Sequence, residues 1–244
     1  MRHLLALAAV ALPAFALAAE PKDVVGLAIK AHGGKDALAK AAVGSQKMAG
    51  TMVLLNTELE FAGEVLYALP DKYKMTLTLG RPGLKLVATQ VVNGDTVKTV
   101  IDGKAQELTA PQKGELRQTT ANQEISLLVA LLDDKKYTLK AGTDAKVGEL
   151  DAATVVVSGK AIADVTLLFD KKTGQLVRMT RQAVGPDDKP VAEETTLSDF
   201  KKFGDVLLPS KLVVLRGGKK FMTMTVSEAK WLDKIDDKTF TVGE

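Results

Sequence analysis

The sequence predicts a mainly β protein with a few helices, organised as one continuous sheet rather than two domains. Three observations lead there. After residue 57, Leu59, Phe61, Val65, Tyr67 and Leu69 alternate with Glu58, Glu60 and Glu64, the period-2 pattern of a strand with one wet and one apolar face. Turn pairs such as Asn93-Gly94 and Asp102-Gly103 recur between short apolar runs, and these are strong hairpin signals because type I′ turns need positive φ. Helical periodicity interrupts the β pattern only once between the two sets of hairpins.

Taken in order, Val24, Val25, Leu27 and Ala28 recur at helical spacing, with Pro21 near the start and Gly33-Gly34 as the stop. An alanine-rich helix is expected from Lys35 to about Val43, closed by Gly44 and Ser45. Strands follow near 47–55, 58–69, 72–80, 84–93, 96–101 and 104–108. Tyr73, Met75, Leu77 and Leu79 alternate against lysines and threonines and extend the apolar face of the preceding strand. Thr109-Ala110-Pro111-Gln112 matches a capping box. A helix is expected from Gln112 to Asp133, with a weak joint at Thr119-Thr120. Its second half, carrying Ile125, Leu127, Leu128, Val129, Leu131 and Leu132, is apolar nearly all round and should be buried. Strands resume near 136–141, 146–150, 152–159, 163–170, 174–184, 191–202, 206–216 and 219–231.

The N-terminus carries the three-part pattern of a secretory signal over residues 1–18. Arg2 and His3 precede an uncharged stretch from Leu4 to Leu17, and Ala16-Leu17-Ala18 offers a small-residue cleavage site. The stretch is shorter than the roughly 20 residues of a membrane span, and no basic stop-transfer flank follows, so cleavage is expected over a retained anchor. Residues 19–244 then form a single domain. The 244-residue chain has no cysteine, which excludes disulfides, thiolate metal sites, thiol nucleophiles and a lipid anchor on cysteine. An exported chain of this kind suits a bacterial periplasm.

The net charge of +3, lowered to +2 by loss of Arg2, comes from interspersed lysines and acids. No basic stripe with aromatics is present, so nucleic acid is not an expected partner; the charge leaves transient contact with an anionic membrane surface open without pointing to it. No catalytic residue is assigned: there is no Gly-x-Ser-x-Gly elbow, and His32, the one histidine outside the signal, reads as a helix-end or solvent residue. No metal site is assigned either, because Asp133-Asp134, Asp187-Asp188 and Asp236-Asp237 are adjacent turn acids without calcium-loop spacing. No phosphate-cradling glycine loop appears, and no cofactor is expected.

The apolar surface is the remaining candidate. Met48, Met52, Met75, Met179, Met222 and Met224 recur along the strands, and Met222, Met224 and Val226 share one face. Flexible thioethers suit a surface that accepts varied apolar shapes, and equally an ordinary core. Composition alone favours the core.

Certain C-terminal motifs shift that balance. Phe169-Asp170-Lys171-Lys172-Thr173-Gly174-Gln175-Leu176 is followed by Leu197-Ser198-Asp199-Phe200, Gly204-Asp205-Val206-Leu207-Leu208-Pro209-Ser210-Lys211 and Ile235-Asp236-Asp237-Lys238-Thr239-Phe240. This order resembles the lipoprotein-localisation carrier superfamily, the LolA/LolB-like proteins of bacterial envelopes. The resemblance implies a strongly curved antiparallel sheet forming an unclosed barrel, with helices covering the concave face and acyl chains held in the cavity. Leu59, Phe61, Val65, Tyr67, Tyr73, Met75 and Leu77 would line the sheet side, together with Met222 and Met224. Ile125, Leu128 and Leu131 would face them from a lid helix. Such carriers use an arginine on an early strand to hold the lid, whereas here none occurs between Arg2 and Arg81. The resulting expectation is a non-enzymatic, monomeric periplasmic carrier for a lipid, acyl chain or lipoprotein. The alternatives are an envelope sensor that binds a protein partner through the same fold, and a secreted hydrolase.

Overall fold

The computed structural model describes residues 20–54, 56–160 and 162–242. The expected signal, residues 1–18, lies outside them. Helices α1 (Pro21–Ala31) and α2 (Lys35–Lys40) lead into β1 (Val43–Leu54), β2 (Thr57–Ala68), β3 (Lys72–Arg81), β4 (Leu84–Asn93), β5 (Thr96–Ile101) and β6 (Lys104–Gln106). Helix α3 (Ala110–Ser126) and a 3₁₀ turn (Val129–Leu132) separate these from β7 (Tyr137–Ala141), β8 (Ala145–Val147), β9 (Leu150–Gly159) and β10 (Ile162–Asp170). Strands β11 (Leu176–Val184), β12 (Pro190–Phe203), β13 (Val206–Arg216) and β14 (Lys219–Trp231) follow. No helix among the described residues is long and apolar enough to cross a membrane.

All fourteen strands join one antiparallel sheet in the order β6-β5-β4-β3-β2-β1-β14-β13-β12-β11-β10-β9-β7, with β8 paired to β9. Pairing of β1 with β14 splices the first set of hairpins to the second. The sheet is open, because its two ends, β6 and β7, do not pair. The strongly curved, barrel-forming sheet expected from the resemblance is therefore corrected: the sheet is not strongly curled. Curling is built with bulges; the β1·β2, β2·β3, β3·β4 and β4·β5 ladders run without a register shift, and each of the β1·β14, β13·β14, β10·β11 and β9·β10 ladders carries a single one.

Three local expectations also change. The hairpin at Asn93-Gly94 is real, but Asn93 pairs with Thr96, so the two-residue loop is Gly94-Asp95 and only Gly94 has positive φ. Asp102-Gly103 does form the turn with both residues at positive φ. The helix expected to Asp133 stops at Ser126, and Leu128 takes φ 67° before the 3₁₀ turn. A helix apolar on every side would need cover on every side; the break instead sends Ile125, Leu128 and Leu131 into one core. No joint forms at Thr119-Thr120, whose hydroxyls donate to the carbonyls four residues back within α3.

The core has two main parts. One packs Val25, Ile29 and Leu38 of the first helices and the residues around Leu128 against Val155, Val157, Val165 and Leu167. The other packs Leu116 of α3 against Phe61, Val65, Tyr67, Tyr73 and Leu77. Trp231 and Leu69 touch both.

Candidate functional site: a cavity between the sheet and α3

A cavity of about 610 Å³ lies between the sheet and α3. Strand register builds its floor. Met75 stands opposite Val65 and Gln90, and Gln90 opposite Thr99. Across the splice, Met52 pairs with Met222, Met222 with Val214, Val214 with Thr195, and Thr195 with Met179. Directly opposed residues in an antiparallel ladder share a face, so these pairings carry one largely apolar face, interrupted by Gln90, Thr99 and Thr195, across both sets of hairpins.

The roof is different. Glu115, Leu116, Thr119, Asn122, Gln123 and Ser126 line the cavity from α3, spaced so that they form one helical face. Five of these six are polar. The apolar end of the helix segment turns away into the core.

Among the residues expected to bind a ligand, Phe61, Val65, Tyr73, Met75, Leu77, Met222 and Met224 line the cavity. Leu59 and Tyr67 are buried beside it in the second core. Ile125, Leu128 and Leu131 are fully buried in the first core and do not face the cavity. The Tyr67 hydroxyl accepts a hydrogen bond from Gln46 Nε2 at 3.2 Å, and burial pushes its pKa well above the ordinary value.

The sequence did not single out the charged end of this cavity. Arg181, Glu193 and Arg216 are cross-strand partners on β11, β12 and β13, and Glu115 meets them from α3. Arg181 Nε donates to Glu193 at 2.7 Å, its NH1 donates to Glu115 at 2.9 Å, and NH2 also donates to Glu115. The Val184 N–H donates to Glu115 at 3.2 Å. Arg216 Nε donates to the other Glu193 oxygen at 2.8 Å. Burial alone would lower the Arg181 pKa, but the hydrogen bonds and charges of Glu115 and Glu193 raise it above its usual value. The sequence-level signal was an inward-facing charge in an otherwise apolar row: Arg181 alternates with Met179, and Glu193 with Thr195 and Leu197. At the opposite side of the cavity, Thr99 is 8% exposed and its hydroxyl has no hydrogen-bond partner among the described residues.

His32 stands at the helix end as expected, as the C-cap of α1, but not in solvent. It is buried, and its ring ties two strand ends together. Nδ1 lies 2.7 Å from the Leu207 carbonyl, and the Leu176 N–H donates to Nε2 at 3.1 Å. A carbonyl only accepts, so Nδ1 carries the proton and the ring is neutral. Burial lowers its pKa, partly opposed by the bond to Leu207. Among the described residues, no group of three histidines or acids is placed to hold a metal ion.

No protein-family model matches the chain, and no curated protein matches it. Solved structures do. A LolA superfamily protein of Nitrosomonas europaea is similar at 14% identity and a TM-score of 0.56, over 85% of this chain and 97% of that one. A Vibrio parahaemolyticus domain described as outer membrane lipoprotein-sorting is similar at 11% identity and 0.56, over 91% and 97%. A DUF1329 family protein of Desulfovibrio piger is similar at 10% identity and 0.51, over 91% and 97%. At these identities the likeness shows the fold. The chain has the LolA-type fold.

Proposed function

We propose that the protein is a non-enzymatic carrier or binding protein of the bacterial periplasm. It holds a lipid, an acyl chain or the acyl chains of a lipoprotein in the cavity between the sheet and α3. The observation that carries this reading is the cavity itself. Its volume of about 610 Å³ falls within the roughly 300–1,000 Å³ of small-ligand pockets, and its floor is largely methionine, aliphatic and aromatic side chains, with Gln90, Thr99 and Thr195 among them. The LolA-type fold supports the same reading, as do the cysteine-free composition and the export pattern over residues 1–18. Burial of an acyl chain gives about 0.8 kcal/mol per methylene, so a dozen methylenes contribute roughly 10 kcal/mol before the costs of ordering and association.

The test is mass spectrometry of gently purified protein for co-purified lipid, paired with displacement of a fluorescent apolar probe. Bound lipid and micromolar displacement are expected. Met222→Trp, which fills the floor, should weaken displacement at least tenfold with the circular dichroism unchanged. Clean protein that takes up no apolar probe would overturn the proposal. Leu128 is unsuited to this test, because a charge there would unfold the first core rather than report on the cavity.

A further inference from the structure

The two guanidiniums at the charged end are not used alike. Arg181 is 7% exposed, and all three of its nitrogens donate to carboxylates. Arg216 is 26% exposed. Of the five N–H donors a guanidinium carries, only the one on Nε is taken, by Glu193. Its NH2 stands 3.7 Å from Glu115, an ion pair beyond hydrogen-bond distance. Among the described residues, its two terminal nitrogens have no hydrogen-bond partner. The carboxylates, by contrast, are satisfied. Both Glu193 oxygens receive an arginine Nε, and both Glu115 oxygens receive Arg181. The cluster is therefore neutral in charge but has spare donors, all of them on Arg216.

That spare fork stands beside an apolar surface. The Arg216 guanidinium lies 4.0 Å from the centre of the Phe221 ring, and both residues line the cavity. Met222 and Val214 follow along the same face. A planar guanidinium with free terminal nitrogens matches a carboxylate or a phosphate in two parallel hydrogen bonds. Net charge does not draw the anion in, because two glutamates balance two arginines; unspent donors in a partly dry site do.

We propose that the cavity takes a single-chain amphiphile whose anionic head, a carboxylate or a phosphate monoester, docks on Arg216 beside Phe221 while its tail lies along the methionine floor. This deepens the carrier reading and rests on it.

The experiment is displacement of the neutral probe N-phenyl-1-naphthylamine by dodecanoate, dodecyl phosphate, dodecanol and methyl dodecanoate. Both anions should bind about tenfold or more tightly than the two neutral ligands, in line with a charge-assisted hydrogen-bond pair. In Arg216→Gln the ratio of dodecanoate to dodecanol affinity should fall to about one. Equal affinity of dodecanoate and dodecanol for the wild-type protein would remove the head-group site and leave the carrier reading intact. Failure of all four ligands would remove the carrier reading itself. Loss of the dodecanoate preference in millimolar inorganic phosphate or acetate would make the free anion the ligand and overturn the amphiphile assignment. If R216Q does not fold, the wild-type ligand series decides alone.

Discussion

The cluster of Arg181, Glu115, Glu193 and Arg216 makes a prediction whose sign is diagnostic. Arg181→Met removes the hub. It leaves Glu115 and Glu193, 17% and 10% exposed, with only Arg216 between them, at 3.7 Å from one and 2.8 Å from the other. Removing one partner of a buried ion pair costs roughly 3–5 kcal/mol, because the remaining charge is uncompensated. We expect about 4 kcal/mol. Glu115→Leu should cost less, about 2 kcal/mol, since Arg181 keeps Glu193. The double variant restores charge balance with Glu193 and Arg216 alone, and apolar groups of similar size replace the lost pair. It should therefore be more stable than Arg181→Met, by about 2 kcal/mol. Urea unfolding at equilibrium measures all four proteins, with unchanged m-values required for the comparison. Simple addition of the two single costs in the double variant would refute the reasoning, as would a cost below 1 kcal/mol for Arg181→Met.

His32 should make stability pH-dependent. Unfolded, it takes up a proton near 6.5; folded, burial holds it neutral to lower pH. Between those limits the unfolded chain binds the extra proton, so this contribution is complete above about pH 6.5 and is lost as pH falls, with a slope of at most about 1.4 kcal/mol per pH unit. Urea midpoints at pH 7.5 and 5.5 should fall further apart for the wild type than for His32→Gln; an equal difference would show that other groups are responsible. Two glycines should respond with opposite signs. A Cβ on Gly63 would stand 2.0 Å from the Thr76 carbonyl oxygen, a rigid neighbour, so Gly63→Ala should destabilise by about 3 kcal/mol. Gly114 is an exposed position inside α3 with nothing within 4 Å of its Cβ, and Gly114→Ala should raise stability by about 1 kcal/mol. Thermal melting of both variants checks the pair, and a shared sign would contradict the local geometry.

The fold was legible where alternation and turn chemistry coincide. On β2 and β3 the inward row is continuous and the connection is marked by Pro70-Asp71, so elements and faces follow from spacing alone. The break in the helix was not legible. Positive φ is normally flagged by glycine or asparagine, and here a leucine, Leu128, adopts it because the core on either side fixes the chain. The cavity was legible in part for a related reason. Periodicity assigns residues to a strand face, and the methionines of that face do line the cavity. It does not say which side of a helix meets the cavity. An apolar helix end invites the inference that it faces the ligand space, whereas Ile125, Leu128 and Leu131 complete a core and Glu115, Thr119 and Asn122 face the void. The one arginine of the early strands, Arg81 at the end of β3, is exposed and does not line the cavity. A guanidinium bonded to α3 comes instead from β11, a long-range pairing that no local pattern announces.

The size of the void bears on what must occupy it. A cavity of about 610 Å³ that is partly open to solvent admits water, and apolar side chains left against that water forgo about 25 cal/mol for each Å² they would otherwise bury. Collapse of α3 onto the floor would remove the cost, but polar tethers hold the helix in place: Glu115 to Arg181, Gln118 to the Ala163 N–H at 2.8 Å, and Arg117 to the Asp95 carbonyl at 3.0 Å. A polar roof would also bury unpaired groups against methionine side chains if it closed. The space is therefore always filled. Water can satisfy the roof but gains nothing from the floor, whereas an amphiphile with an anionic head satisfies the spare donors at one end and the apolar floor along its length. The same chemistry that props the cavity open sets the kind of molecule able to displace water from it.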